Sequence, residues 1–203
     1  MKKILLSPVF ILIFLSFLVL TFSIAYVSLE KKESEKFLGL AVLGPNMMAE
    51  NYYPRGNSTI AVGETVKWYI NVQNHLGSPE YLSVRLKLLN SSQFLPHDNF
   101  SRSTPSPVSQ IFELKQMIPN NSTWITPINW ALTDVDKNHT TIKSLNVNGI
   151  QIDGVNTRSV TGNDFMIVLE LWRYDTRIKD FNFIWPSQTG ERITWDQLWF
   201  RLK

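Results

Sequence analysis

The chain has 203 residues, of which 44% are hydrophobic and 18% are charged, a composition typical of a folded protein and not of a disordered one. Lysine and arginine number 20 against 17 acidic residues, and because Lys2 and Lys3 precede the first acid, Glu30, the rest of the chain is almost neutral. This balance argues against a nucleic-acid partner. The absence of cysteine excludes disulfides, thiolate metal sites and cysteine nucleophiles.

The first predicted element is a membrane anchor over residues 1–29. Residues 4–29 contain no charged side chain and are long enough to span a bilayer, since about 20 helical residues cross its hydrocarbon core. The alternative is a signal peptide, with Lys2 and Lys3 before the apolar region and a small-residue cleavage site ending at Ala25. The apolar run is longer than the usual signal core of about 7–15 residues, so we expect an uncleaved segment whose partner is membrane lipid.

Lysines on the two sides of this segment are too evenly balanced to orient it by charge. Six N-glycosylation sequons favour a single-pass protein of the cell membrane with its C-terminal domain outside, although turns of a polar β protein are also rich in Asn, Ser and Thr. Residues 30–36 mix both charge signs and are interpreted as a solvated connector. The candidate glycan acceptors are Asn57, Asn90, Asn99, Asn120, Asn121 and Asn138.

Residues 37–203 show the pattern of a mainly β domain. Apolar and polar residues alternate over residues 65–73, 82–88, 165–171 and 198–202, which predicts strands with one buried face. Weaker patterns at residues 37–43, 111–117 and 125–132 indicate further strands. The link at 74–79 is short, so the first two strands can be neighbours in one sheet or lie across a sandwich. Many short strands between turns predict an immunoglobulin-like antiparallel β-sandwich.

Two inserts are expected, because this region exceeds the roughly 100 residues of a minimal sandwich. Residues near 91–110 are rich in Ser and Pro and are predicted to form a surface loop. Residues near 136–164 contain Asn148-Gly149, the dipeptide favoured by a type I′ turn. This turn predicts a β-hairpin that pairs Val147 with Ile150 and has an apolar side that must pack on something.

Several short motifs occur in a fixed order along residues 37–203. They are Leu43-Gly44-Pro45, Ala49–Pro54, Ile60–Glu64, Asn74-His75 with Gly77, Leu169–Tyr174 and Leu198–Leu202. In order and spacing they resemble the archaeal membrane-protein family catalogued as domain of unknown function 1616. The resemblance covers most of residues 37–203 and implies a membrane-attached, externally facing immunoglobulin-like domain with no established activity. Members of that family often carry several membrane spans before this domain, whereas this chain shows one.

No sequence motif nominates a catalytic or cofactor site. No two of the three histidines lie within four residues of each other, and no nucleophile elbow or phosphate-binding loop is present. The acidic pairs Asp134 with Asp136 and Asp175 with Asp180 lack the ligand spacing of a calcium loop. We therefore expect no cofactor and no enzymatic activity, with a metal-dependent enzyme as the least favoured alternative.

Seven tryptophans are more than the predicted core needs, and only Trp68 lies clearly on an apolar strand face. The rings of Phe181, Phe183 and Trp185 alternate, which predicts either a plug that covers a sheet or an exposed docking surface. We expect a structural or protein-interaction module, such as the accessory subunit of a membrane complex; the alternative is a carbohydrate-binding module with stacking rings. The candidate interaction surface consists of Trp172, Trp185, Trp195 and Trp199.

Overall fold

The computed structural model describes residues 8–29, 35–99, 102–187 and 190–203. The chain divides into two compact units, residues 1–35 and 36–203. The first contains helix α1 (Pro8–Leu29), which starts at a proline, where the missing N–H is tolerated. Within the described part of the chain, no helix has the length and apolarity that a membrane crossing requires. The predicted anchor gains no support from this finding and stays a prediction.

The second unit is built almost entirely of strands. A short 3₁₀ turn at Pro54–Gly56 precedes the second of them. In the described residues the strands are β1 (Leu38–Leu43), β2 (Thr59–Ile60), β3 (Thr65–Asn74), β4 (Glu80–Asn90), β5 (His97–Asn99), β6 (Arg102–Thr104), β7 (Phe112–Ile118), β8 (Ser122–Val135), β9 (Thr141–Val147), β10 (Ile150–Arg158), β11 (Phe165–Asp175), β12 (Asp180–Asn182), β13 (Trp185–Ser187), β14 (Gly190–Arg192) and β15 (Thr194–Leu202).

Two larger sheets share one core. Sheet 1 has the order β1-β3-β8-β9-β10, and sheet 2 has the order β2-β15-β11-β4-β7, with β12 also paired to β11. All these pairings are antiparallel except β2 with β15. Strands β13 with β14 and β5 with β6 form separate hairpins. The predicted antiparallel β-sandwich is confirmed at this level of description.

Alternation along the strands explains how the core forms. In β3, Val66, Trp68, Ile70 and Val72 are completely buried, while the residues between them lie on the other face of sheet 1. Strand β4 contributes its own alternating leucines and valine from sheet 2, so the short link between β3 and β4 crosses the sandwich. Each such large apolar side chain contributes about 1.5–3 kcal/mol by leaving water.

Aromatic rings connect the two sheets. The ring of Trp130 on β8 lies 5.2 Å from that of Trp68 and 5.3 Å from that of Phe200 on β15. Phe200 in turn stacks on Phe165 of β11 at 5.7 Å. The indole N–H of Trp68 donates to the backbone carbonyl of Tyr52 at 2.6 Å, which satisfies this buried donor.

The β9–β10 hairpin has the predicted turn and register. Asn148 and Gly149 have φ values of 50° and 84°, as a type I′ turn requires, and Val147 lies opposite Ile150. Strand β9 also pairs with β8, and its Leu145 and Val147 are buried in the main core, while Ile150 is 56% exposed. The hairpin therefore extends sheet 1 edge to edge, instead of packing as a separate ribbon on its surface.

Residues 91–110, expected to be a loop, contain the β5–β6 hairpin. Leu95 and Val108 of this segment pack against Leu89, Met166 and Val168. These three side chains are buried on the outward side of β4 and β11. Part of the outer face of sheet 2 is thus covered by a second, smaller core.

Candidate functional site

The outer face of sheet 2 carries the cluster of side chains best suited to recognition. On β11, Leu169 and Leu171 point into the main core, so Glu170 and Trp172 point outward. Arg85 projects from the neighbouring strand β4 on the same side, with its guanidinium carbon 3.9 Å from the centre of the Trp172 ring. This geometry is a close cation–π contact.

Three further rings complete what we call the aromatic–cation cluster. The ring of Phe181, from β12, lies 5.3 Å from that of Tyr81 and 5.5 Å from that of Tyr174. The guanidinium of Arg85 is 5.8 Å from the Phe181 ring, so the cation lies between Phe181 and Trp172. Tyr81 is 36% exposed, and the cluster therefore presents rigid aromatic surface to solvent. Its members are Tyr81, Arg85, Trp172, Tyr174 and Phe181.

Charges at the edge of the cluster are held in fixed positions. The carboxylate of Glu113 accepts hydrogen bonds from Ser83 Oγ at 2.7 Å and Arg85 Nε at 3.1 Å, and it pairs with Lys115 Nζ at 2.7 Å. Partial burial opposes ionisation of this carboxyl, but the three donors outweigh it and lower the pKa of Glu113. One carboxylate against two cations leaves this part of the surface with one net positive charge.

An open groove of about 630 Å³ adjoins the cluster. Tyr81 and Tyr174 line it on the cluster side, together with Met117, which is 54% exposed. Arg173, which also lines the groove, holds the carboxylate of Glu80 through two hydrogen bonds, Nε to Oε2 at 2.6 Å and Nη2 to Oε1 at 3.1 Å. The groove thus combines apolar side chains with an ion pair of fixed geometry.

A buried ion pair lies beside the cluster, beneath residues 91–110. Lys87 Nζ is 2.9 Å from Oε2 of Glu170, and the two side chains are 6% and 0% exposed. Glu170 also accepts hydrogen bonds from the Ser106 N–H at 2.7 Å and the Trp172 indole N–H at 3.0 Å. Lys87 donates to the Ser106 carbonyl oxygen. The pair therefore connects the covering segment to sheet 2.

The four tryptophans of the predicted interaction surface have different environments. Trp172 and Trp195 are half-buried on the outer face of sheet 2, and Trp199 is 42% exposed. Trp185 is only 5% exposed and joins the main core, with its indole N–H donating to Thr194 Oγ1 at 3.1 Å. The prediction that Trp185 belongs to an exposed interaction surface is therefore wrong. The chain bends between β12 and β13, and the alternation of the aromatic residues does not continue across that bend.

Phe183 is also buried, at 2% exposure, and its ring packs 5.4 Å from that of Trp172. The rings of Phe181, Phe183 and Trp185 were predicted either to cover a sheet as a plug or to form an exposed docking surface. The burial of Phe183 and Trp185 favours the plug. Sequence reasoning did not select Tyr81, Arg85 or Met117. The available signal was Tyr81, an aromatic residue in the outward series of β4, where a solvated face carries polar residues.

The sequons also differ in their surroundings. Asn57, Asn121 and Asn138 are exposed, whereas Asn90 and Asn120 are half-buried. The side chain of Asn99 lies outside the described residues.

In the described ranges, no group of three or more His, Asp or Glu side chains could hold a metal ion. His75 packs its ring 4.5 Å from that of Phe37, and its Nδ1 is 3.2 Å from Oδ1 of Asn121. Its surroundings are those of a structural histidine at the end of β3.

No family model matches the chain, and no curated protein matches it. The resemblance to the archaeal family therefore stays a prediction. Among solved structures, the sporulation control protein Spo0M from Bacillus subtilis is similar at 9% identity, with a TM-score of 0.34 over 82% of this chain. This chain spans about half, 49%, of that structure's length.

Proposed function

We propose that this chain is a membrane-anchored, outward-facing β-sandwich that serves as a protein-interaction module, for example as the accessory subunit of a membrane complex. The observation that carries this proposal is the aromatic–cation cluster with its adjoining groove on the outer face of sheet 2. Tyr, Trp and Arg are the residues that dominate binding energy in protein interfaces. Here they are already held in place by mutual contacts, which reduces the entropy lost on binding.

The alternative of a carbohydrate-binding module is less well supported. Sugar stacking needs an open aromatic face. The Trp172 ring is covered by Arg85 and Phe183, and Trp185 is buried. Tyr81 and Met117 instead expose apolar side-chain surface beside charged side chains. This combination is more typical of a protein–protein interface than of a sugar-binding site.

The immunoglobulin-like class is part of the proposal and is supported by the strand order. Strands β1, β3 and β8 form one sheet, while β4, β11 and β15 form the other, with β7 beside β4. Consecutive strands β3 and β4 lie in different sheets, as do β7 and β8, which is the type of connection that immunoglobulin-like sandwiches use.

Membrane attachment is proposed from the sequence of residues 4–29, which contains no charge. Most side chains described along α1 are apolar and exposed, and the hydroxyls of Ser16, Thr21 and Ser23 donate to carbonyls of the helix itself. A helix of this kind is stable when lipid or protein covers it. We expect the protein to stay with membranes after carbonate washing and to keep its amino-terminal residues. A mature chain that begins at Tyr26 would contradict the anchor.

The interaction proposal is tested by photo-crosslinking in the native cells. A photoreactive amino acid replaces Met117 beside the groove or, as a matched control, Ile125, which is 45% exposed on the opposite sheet. We expect one defined crosslinked protein from position 117, identified by mass spectrometry, and none from position 125. The same products from both positions would contradict a specific surface on sheet 2.

A further inference from the structure

We propose that the folded domain accepts N-linked glycans at Asn57 and Asn121 and excludes them from Asn90, Asn120 and Asn138. Glycosylation in the cell requires the outward-facing location that is part of the proposed function, and to that extent this inference rests on it. The distinction between acceptor and non-acceptor sequons rests on the structure of each one.

The chemistry defines what an acceptor needs. Nδ2 of the asparagine attacks the anomeric carbon of an oligosaccharide that is carried on a lipid phosphate or diphosphate. An N–C bond forms, the C–O bond to the phosphate breaks, one amide hydrogen leaves as a proton, and the lipid phosphate is the leaving group. The transferase also requires the hydroxyl of the third sequon residue. A folded acceptor therefore needs an accessible Nδ2 and a free hydroxyl two residues later.

Asn57 meets both conditions. It is exposed, and its Oδ1 accepts a hydrogen bond from the Thr59 N–H at 3.0 Å. This bond fixes the amide by its oxygen and leaves Nδ2 without a partner among the described residues. The Thr59 hydroxyl likewise has no partner there.

Asn121 is arranged in the same way. It is exposed, and its Oδ1, the atom that does not react, lies 3.2 Å from Nδ1 of His75. Thr123, the third residue of its sequon, is exposed, and within the described chain its hydroxyl makes no hydrogen bond. At both positions the amide oxygen is held, and the reactive nitrogen has no partner in the part of the chain that the structure describes.

The other three sequons each lack one condition. Asn90 is half-buried, and its Nδ2 donates to the backbone carbonyl of Arg158. Asn138 is exposed, but the Thr140 hydroxyl of its sequon donates to Oδ2 of Asp136 at 2.9 Å. Asn120 is half-buried, and the hydroxyl of Ser122, the third residue of its sequon, donates to the backbone carbonyl of Asn120 at 3.5 Å.

Neither acceptor lies on a strand of the aromatic–cation cluster. Asn57 precedes β2, and Asn121 lies in the turn between β7 and β8. The cluster residues belong to β4, β11 and β12.

The test uses the purified full chain, folded in detergent, with a single-subunit oligosaccharyltransferase and a lipid-linked oligosaccharide. Occupancy at each sequon is measured by mass spectrometry, before and after denaturation of the substrate. In the folded chain we expect occupancy at Asn57 and Asn121 to exceed that at Asn90 and Asn138 by about tenfold or more, because a hydrogen bond must break first at the latter two. Denaturation should remove the difference. Equal occupancy of these sequons in the folded chain would overturn the proposal. A sequon appended to the carboxyl terminus reports whether the transferase is active, and modification of that sequon with Asn57 and Asn121 left unmodified would also overturn the proposal.

A second variant tests the hydroxyl argument separately. Asp136→Ala frees the Thr140 hydroxyl, and we expect Asn138 to become an acceptor in the folded chain while Asn90 stays unmodified. An unchanged Asn138 would contradict this part of the proposal. Because no partner protein is present in these assays, their failure leaves the proposed interaction function unaffected.

Discussion

Removal of Glu170 alone should destabilise the domain more than removal of its whole ion pair. The side chain of Lys87 is 6% exposed, and in Glu170→Leu its ammonium would keep the Ser106 carbonyl as its one hydrogen-bond acceptor among the described residues. The N–H groups of Ser106 and Trp172 lose their acceptor as well. Breaking a buried pair in this way costs about 3–5 kcal/mol.

The double variant Lys87→Met with Glu170→Leu removes both charges and keeps similar volumes. Replacement of a buried pair by apolar residues is often close to neutral. The two orphaned N–H groups still cost about 1–3 kcal/mol each unless small movements satisfy them. We therefore expect the double variant to be at least about 1 kcal/mol more stable than Glu170→Leu, although it carries one more substitution.

Urea unfolding of the full chain, followed by tryptophan fluorescence, measures both variants. Hydrogen exchange of residues 91–110 in Glu170→Leu adds a local readout, since this segment is connected to sheet 2 through Ser106. A double variant less stable than the single one would show that attraction between the charges, and not the burial of an unpaired charge, dominates. A loss below about 1 kcal/mol in Glu170→Leu would mean that water reaches the pair and that residues 91–110 do not cover it.

Other substitutions test separate parts of the structure. Gly149→Val should lower the free energy of unfolding by about 1 kcal/mol or more, because the φ of 84° at this position disfavours a β-branched residue. Unfolding of the variant should stay a single transition. A second, separate transition would mean that the hairpin folds independently. Hydrogen bonds from the Arg177 side chain lower the pKa of Asp175 from 3.8 to about 2, so its contribution is complete above about pH 4 and lost as the pH falls toward 2. Asp175→Asn should flatten the dependence of Tm on pH within that window, and Arg177→Leu should have the same effect; an unchanged profile in both would refute the assignment. Lys115→Asn with Met117→Thr creates a sequon on β7, and the glycosylated form of this variant should bind the partner more weakly than its unglycosylated form; equal Kd values of the two forms would contradict binding at this face.

The strands were predictable because alternation directly reports which face of a strand is buried. Strands β3 and β4 each show a strict apolar series, and both are where the pattern predicts them. The turn at Asn148-Gly149 was predictable from local backbone preference. The pairing of β9 with β8 was not predictable from the sequence, because pairing between separate segments depends on the packing of the whole sheet.

The candidate site was less accessible to sequence reasoning. Strand β11 is apolar at both alternating positions, since Met166 and Val168 stand between the core residues Phe165, Ile167 and Leu169. Such a strand is covered on both faces, and this signal could have placed residues near 91–110 on the outer face of sheet 2. The contact of Arg85 with Trp172 could not be derived, because it requires the lateral register of β4 against β11.

We propose that the outer face of sheet 2 binds a protein partner. The most direct measurement is the Kd of the full chain for the partner identified by crosslinking, compared between Met117→Asp and the matched control Ile125→Asp. We expect a Kd raised by about tenfold or more in Met117→Asp, because the substitution places a carboxylate within the proposed contact surface, and a change within about twofold in Ile125→Asp. Equal effects of the two substitutions, or a larger effect at Ile125, would contradict the assignment of the binding surface to sheet 2.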